Sequence, residues 1–235
     1  MILELGTMNF NYQMRFSKTG RARFIAHLDT LSLLVRAIRR AGYQLALTEG
    51  MRPKPILSLA MPLGVGIEGE DEICDFSLRQ RVPLGEFSRM LGRQLPEGID
   101  LKSIGPCHDR SKSASRVARV SYRVQFSSPV GWGKALEKFN SEKKLTVMRK
   151  RPKGDKNVDV KRYVDKVGVG KEGCLEFDMA VTSGGTARPE EVIGLLEEFA
   201  GRPAGRYKVI RTAIILDQEK PLPPPRPGHG KRLRR

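Results

Sequence analysis

Apolar residues in this chain change spacing in a set order, and that order limits the fold more than any other feature. Tyr12 to Ile25 reads as a strand interrupted by a turn over Ser17 to Arg21, where Gly20 supplies permissive backbone. Leu31, Leu34, Val35, Ile38 and Ala41 then recur at helical spacing and predict a helix over Asp29 to Ala41, with Asp29 as its N-cap. Strands follow at Ile56 to Leu63 and Glu72 to Leu78, the second alternating like a half-buried strand. A helix over Leu84 to Leu95 sets Leu84, Phe87, Met90, Leu91 and Leu95 on one face, and a strand at Leu101 to Ile104 completes the half. The order β-α-β-β-α-β is that of the split βαβ, or ferredoxin-like, unit.

That order recurs after a polar linker, Cys107 to Arg116, rich in Ser and Lys. Strand Val117 to Phe126 leads into helix Pro129 to Phe139, with Trp132, Ala135, Leu136 and Phe139 as its core stripe. Strand Leu145 to Arg149, a long basic excursion, strand Cys174 to Val181, helix Pro189 to Phe199 and strand Tyr207 to Leu216 follow. The expected fold class is α+β: two tandem ferredoxin-like units with antiparallel sheets, spanning 11–106 and 117–218. The halves share element order and no detectable sequence identity. Residues 219–235 hold five prolines and six cations, which predicts a flexible basic arm that builds no core.

A net charge of +17 exceeds what solubility asks of a chain of 235 residues and points to an anionic partner. Nucleic acid ranks ahead of a membrane surface, because no basic helix carries a bulky apolar face. No apolar run approaches the ~18 residues of a membrane helix. Met1 to Asn9 has neither the cationic nor the apolar region of a signal peptide, so a cytoplasmic location is expected. Cys74, Cys107 and Cys174 are widely spaced and form no CxxC pair, so neither a zinc site nor a disulfide framework is expected. HExxH, P-loop and GxSxG patterns are absent, and Gly64-Val65-Gly66 reads as a turn; no cofactor or metal is expected.

Candidate phosphate-holding cations fall in three places. Lys18, Arg21 and Arg23 belong to the first turn and its flank, and Arg52 and Lys54 are held outward by the prolines of Gly50 to Pro55. From Lys143 to Lys171 eleven Lys/Arg stand against three Asp, a local net of +8, with Arg149, Lys150, Arg151, Lys153, Lys156 and Arg162 as its candidates. A solvated hairpin is the plain alternative for such a run. His27 is the only histidine beside an ordered element, and a general acid/base for RNA cleavage would need such a group. A lone His ahead of a helix more often satisfies a backbone group, so with Asp29 it is read as ordering the loop or touching a partner.

The run Phe16 to Gly20 through Phe24 to Asp29 resembles the bacterial radical SAM-linked protein family, a domain of unknown function. So do Gly50 to Pro55, Pro62 to Gly66 followed by Gly69-Glu70, and Ala187 to Val192, and the likeness spans Met14 to Leu216. Members occur fused behind a radical SAM enzyme or as separate small proteins, often encoded beside one and near a ribonuclease of the G/E type. Met51 stands where the family usually has an aromatic, and Arg52 where a small polar residue is common. The chain has no CxxxCxxC trio for an iron–sulfur cluster, so the resemblance implies the companion of a radical enzyme. The tandem order also looks like that of CRISPR repeat-processing endoribonucleases of the RAMP group, an analogy of fold alone.

The expected function is therefore a non-catalytic RNA-binding accessory protein that presents a transfer or ribosomal RNA to a radical SAM enzyme. Two alternatives stand beside it: a metal-independent endoribonuclease using His27, and a purely protein-binding subunit of a radical SAM complex.

Overall fold

Alternation of Tyr12, Met14 and Phe16 with Asn11, Gln13 and Arg15 makes one apolar and one polar strand face, and β1 (Phe10–Lys18) forms on that pattern. The computed structural model describes residues 9–107, 113–127, 131–152 and 154–217. After β1 the chain does not enter a second strand. Gly20 at φ 58° turns it into a 3-10 segment, Gly20–Phe24, so the strand expected at Arg23 to Ile25 is absent. Helix α1 (His27–Arg40) follows with Ala26 as N-cap, and Asp29 sits inside its first turn, where its charge suits the helix dipole. Leu34, Ala37 and Ile38 are its buried stripe.

Strand β2 (Leu57–Leu59) is shorter than expected and β3 (Glu68–Leu78) longer. Helix α2 (Leu84–Gly92) and strand β4 (Ile99–Pro106) close the first half. Within it β1 lies between β3 and β4, antiparallel to both, and β2 edges β3. A single-turn helix, α3 (Ser113–Arg116), ends the expected linker; residues 108–112 of that linker lie outside the described residues.

The second half opens with β5 (Val117–Phe126) and α4 (Gly133–Ser141); the expected helix start at Pro129 lies outside the described residues. Strand β6 (Thr146–Arg149) leaves the main sheet and, among the described residues, pairs only with β7 (Lys156–Asp159), as a separate hairpin. The place beside β9 (Leu175–Ala180) goes instead to β8 (Val167–Val169), inside what reads as excursion. Helix α5 (Pro189–Ala200) starts on a proline whose missing N–H is no loss there. Glu191 accepts from the Arg188 N–H at 2.8 Å, and Gly201 at φ 63° ends the helix. Strand β10 (Tyr207–Leu216) then pairs antiparallel with β5.

The strand order of the main sheet is β4-β1-β3-β10-β5-β9-β8, with β2 beside β3. The fold is thus mixed α+β with a mostly antiparallel sheet. The exception is the junction: β3 and β10 run parallel, Glu68 opposite Ile210 and Gly69 opposite Arg211, so the halves share one continuous sheet. Two apolar clusters pack against it. One gathers Tyr12, Phe16, Leu34, Phe76, Phe87 and Leu91, where the Phe76 ring stacks on both Tyr12 and Phe87 at 5.7 Å. The other gathers Val120, Trp132, Phe139, Leu175, Met179 and Leu196. Each such buried side chain contributes roughly 2 kcal/mol. Ile73 of β3 belongs to the second cluster although its strand belongs to the first half. No helix among the described residues is long and apolar enough to cross a membrane.

Candidate functional site

The first basic turn folds onto its own charges. Lys18 is only 2% exposed and donates from Nζ to the Ile25 carbonyl at 2.5 Å. Burial lowers its pKa, with Glu72 pulling the other way. It holds the 3-10 segment against β1 and cannot reach a phosphate, which corrects its reading as a binding residue. Beside it Glu68, 6% exposed, accepts from the Gly20 N–H at 3.1 Å and the Arg23 guanidinium at 3.2 Å, and Lys208 approaches at 3.3 Å. Arg23 also lies 4.8 Å over the Phe24 ring. Arg21 stays exposed.

The strongest electrostatic element joins the two halves. Arg211, 1% exposed, donates to Glu72 from Nε at 2.9 Å and from its terminal nitrogen at 2.5 Å, and to the Met61 and Pro62 carbonyls at 3.1 Å each. Burial would lower its pKa; the Glu72 carboxylate outweighs that and leaves it raised. A side chain at Gly69 would meet the Glu72 carboxylate at 2.5 Å, so only glycine leaves the pair its room. Glu68 and Glu72, two of the four carboxylates in the run that follows Gly66, are therefore internal ligands. The start of their strand, Glu68 to Asp71, is not legible in the sequence, because Glu68-Gly-Glu-Asp-Glu looks like a loop until Arg211, 139 positions beyond Glu72, is placed beside it.

His27 opens α1 half-buried, and its Nδ1 has no hydrogen-bond partner among the described residues. Asp29, two residues on, is exposed. Around them stand three exposed apolar side chains: Phe24 at 59%, Leu28 at 72% and Val65 at 61%. Arg52 and Lys54 are exposed in a narrow turn closed by the Thr48 N–H to Lys54 carbonyl bond at 2.8 Å, with Met51 fully exposed at its tip.

In the second half the basic run divides. Arg149 gives Nε and a terminal nitrogen to Glu191 at 2.6 and 2.7 Å and a further bond to the Thr186 carbonyl at 3.0 Å, so its pKa is raised and its guanidinium is spent on tying the hairpin to α5. That corrects its reading as a phosphate contact. Lys150, Arg151 and Lys156 stay exposed, and Lys153 lies outside the described residues. Arg162 borders a groove of about 730 Å³ over β5 and β9. Its floor carries cross-strand pairs, Arg119 with Asp178 at 3.5 Å and Arg123 with Glu176 at 3.4 Å, and Arg123 also reaches Glu70 at 3.3 Å. Lys161, Arg162, Asp165 and Lys166 form its wall. Arg119 and Arg123 escaped sequence reading, since charged residues alternating along a strand signal only a polar face, whereas Lys161 and Lys166 belong to the basic run without being singled out as candidates.

No three His, Cys, Asp or Glu side chains among the described residues come together as a metal site. Cys74 is fully buried, which pushes its thiol pKa well up, and burial raises that of Cys174.

Among solved structures the chain is similar to an unknown protein from Galdieria sulphuraria, at 14% identity over 86% of this chain and 96% of that one, with a TM-score of 0.28. It is also similar to a protein provisionally assigned as a glycine cleavage system transcriptional repressor, at 11% identity over 89% and 99%, with a TM-score of 0.26. No curated protein matches it. A family model does match, over residues 11–189, and takes in β1, the charged junction of β3 and the groove: the chain belongs to the family described as uncharacterized protein conserved in bacteria (DUF2344).

Proposed function

We propose that this protein is a non-catalytic RNA-binding accessory protein that holds an RNA for a radical SAM enzyme. The observation that carries the RNA half of this reading is the cation-walled groove of about 730 Å³, continuous in sequence with the hairpin that exposes Lys150, Arg151 and Lys156. Strand β7 runs straight into the groove wall at Lys161 and Arg162, so hairpin and wall form one track along which a phosphate chain could lie. On the floor Arg119 and Arg123 face Asp178, Glu176 and Glu70, so the positive charge of the track lies in the wall and the hairpin. Read as two ferredoxin-like units, the halves would each offer an open sheet face, and such a face is a common platform for RNA. The radical SAM partner rests on the resemblance of the Phe16 to Asp29 and Pro62 to Glu70 runs. A companion of such an enzyme would work in the cytoplasm.

Binding of a labelled transfer RNA pool, followed by anisotropy across a salt series, tests the reading. A log-log slope of several units is expected, falling by about 2 units when Lys161, Arg162 and Lys166 are all changed to Ala, at roughly 0.7 to 0.9 per phosphate contact. Equal affinity and slope for the triple variant would remove the groove from the reading, and RNA cut in EDTA by the wild type but not by His27→Ala would replace it with the endoribonuclease.

A further inference from the structure

We infer that Phe24, Leu28 and Val65 form a docking site for a protein segment carrying an apolar anchor flanked by carboxylates. Single exposed apolar residues are ordinary. Here three large ones, 59%, 72% and 61% exposed, stand on two adjoining segments, because the Gly66 N–H donates to the Arg23 carbonyl at 3.0 Å and sets the loop carrying Val65 against the one carrying Phe24.

Their exposure is not a product of loose chain. The Ala22 N–H donates to the Thr19 carbonyl at 3.1 Å, the Ile25 N–H to the Ala22 carbonyl at 3.0 Å, and the Lys18 ammonium to the Ile25 carbonyl. The Glu68 carboxylate fixes the same turn from inside through Gly20 and Arg23. A surface held this firmly gives up little entropy when a partner meets it.

Two features choose the partner. Leu28 and Val65 have no π face, and the Arg23 guanidinium already covers one face of Phe24 at 4.8 Å, so the surface is ill suited to stacking nucleobases and well suited to an aliphatic or aromatic side chain. On its rim Arg23 and Lys208 share the single Glu68 carboxylate while Arg21 is exposed, a local cationic excess with Asp29 as the acid on the helix side. That excess favours carboxylates around the anchor and discourages a basic segment. This inference is independent of the RNA reading, whose groove lies on β5 and β9.

Selection of a displayed random dodecamer library on the full chain is the test, with the best peptide then measured by anisotropy. Enrichment of one or two large apolar residues flanked by Asp or Glu is expected. Binding of that peptide should fall at least tenfold in Phe24→Asp and separately in Leu28→Asp, and several-fold in Arg21→Glu. Circular dichroism and the melting temperature should hold, since both apolar side chains face solvent, and transfer RNA affinity should change less than twofold in Phe24→Asp and Leu28→Asp. No enrichment, a consensus without acidic residues, or equal binding to the variants would overturn the inference. So would displacement of the peptide by an oligonucleotide whose own binding needs Phe24.

Discussion

At the scale of single residues, some of the chain's charges act inside the molecule. Glu72 and Arg211 are 2% and 1% exposed, and an ion pair so deep is secure only while both members remain. Glu72→Gln leaves an arginine that cannot shed its charge, held by two backbone carbonyls and a neutral amide. We expect it to destabilise the protein by about 3 kcal/mol in urea unfolding, whereas the double variant Glu72→Leu/Arg211→Met should recover most of that loss. A single-variant loss below about 1 kcal/mol would mean that water or a shifted side chain compensates the charge. Lys18 makes a second test, read as a pH dependence. Its pKa is lowered in the folded state, by burial above all, so the folded chain releases this proton before the unfolded chain does at about 10.5. In the window between the two the unfolded state binds more protons, and stability gains from Lys18 as pH rises. Cys74 and Tyr122 have raised folded values and work in the opposite sense, so the quantity to compare is wild type against Lys18→Met. The variant should lack the upward contribution; identical slopes would show that Lys18 is ionised without penalty.

At the scale of elements, the β6–β7 hairpin separates structural from free charge within eight residues, 149–156. Changing Lys150, Arg151 and Lys156 to Ser should leave the melting temperature unchanged and lower the salt slope of RNA binding by about 2 units. Arg149→Ala should do the reverse, weakening the fold by about 1 to 3 kcal/mol through its lost bonds to Glu191 while leaving the slope within about one unit. A slope that follows Arg149 alone would reassign the grip. The hairpin also shows how far sequence periodicity reaches. Strands β5 and β10 and helix α5 are legible because ten or more residues keep one period under one environment. Strand β8 is three residues with a central glycine, too short to show alternation, so β6 was taken for its place in the sheet. Arg23-Phe24-Ile25 reads as strand, but Gly20 at φ 58° and the Glu68 carboxylate curl it into a 3-10 turn. The candidate site was half legible for a related reason: composition reveals where cations cluster, but not that Lys18 and Arg149 are consumed by Ile25, Thr186 and Glu191.

At the scale of the whole molecule, what matters is whether two halves with separate cores behave as one body. Their backbone junction is slight, two parallel register pairs between β3 and β10, which by itself would let the halves open independently. The side chains argue otherwise. Glu72 with Arg211, Glu68 with Lys208 and Glu70 with Arg123 all cross that junction, and Ile73 packs into the other half's core. Opening one half alone would strand a buried charge of the other, a penalty of several kcal/mol, comparable to the stability of a small domain. One cooperative transition is therefore expected. The chain carries its own reporters: Trp132, its single tryptophan, is 3% exposed in the second core, and Cys74 is fully buried in the first. In a Cys107→Ser/Cys174→Ser background, Trp132 fluorescence and Cys74 thiol labelling, followed through one urea titration, should share a midpoint. In the Glu72→Gln protein both midpoints should move down together if the junction couples the halves. Separated midpoints in the parent would show that the shared sheet is a loose seam, and any RNA track or docking surface would then belong to one half alone.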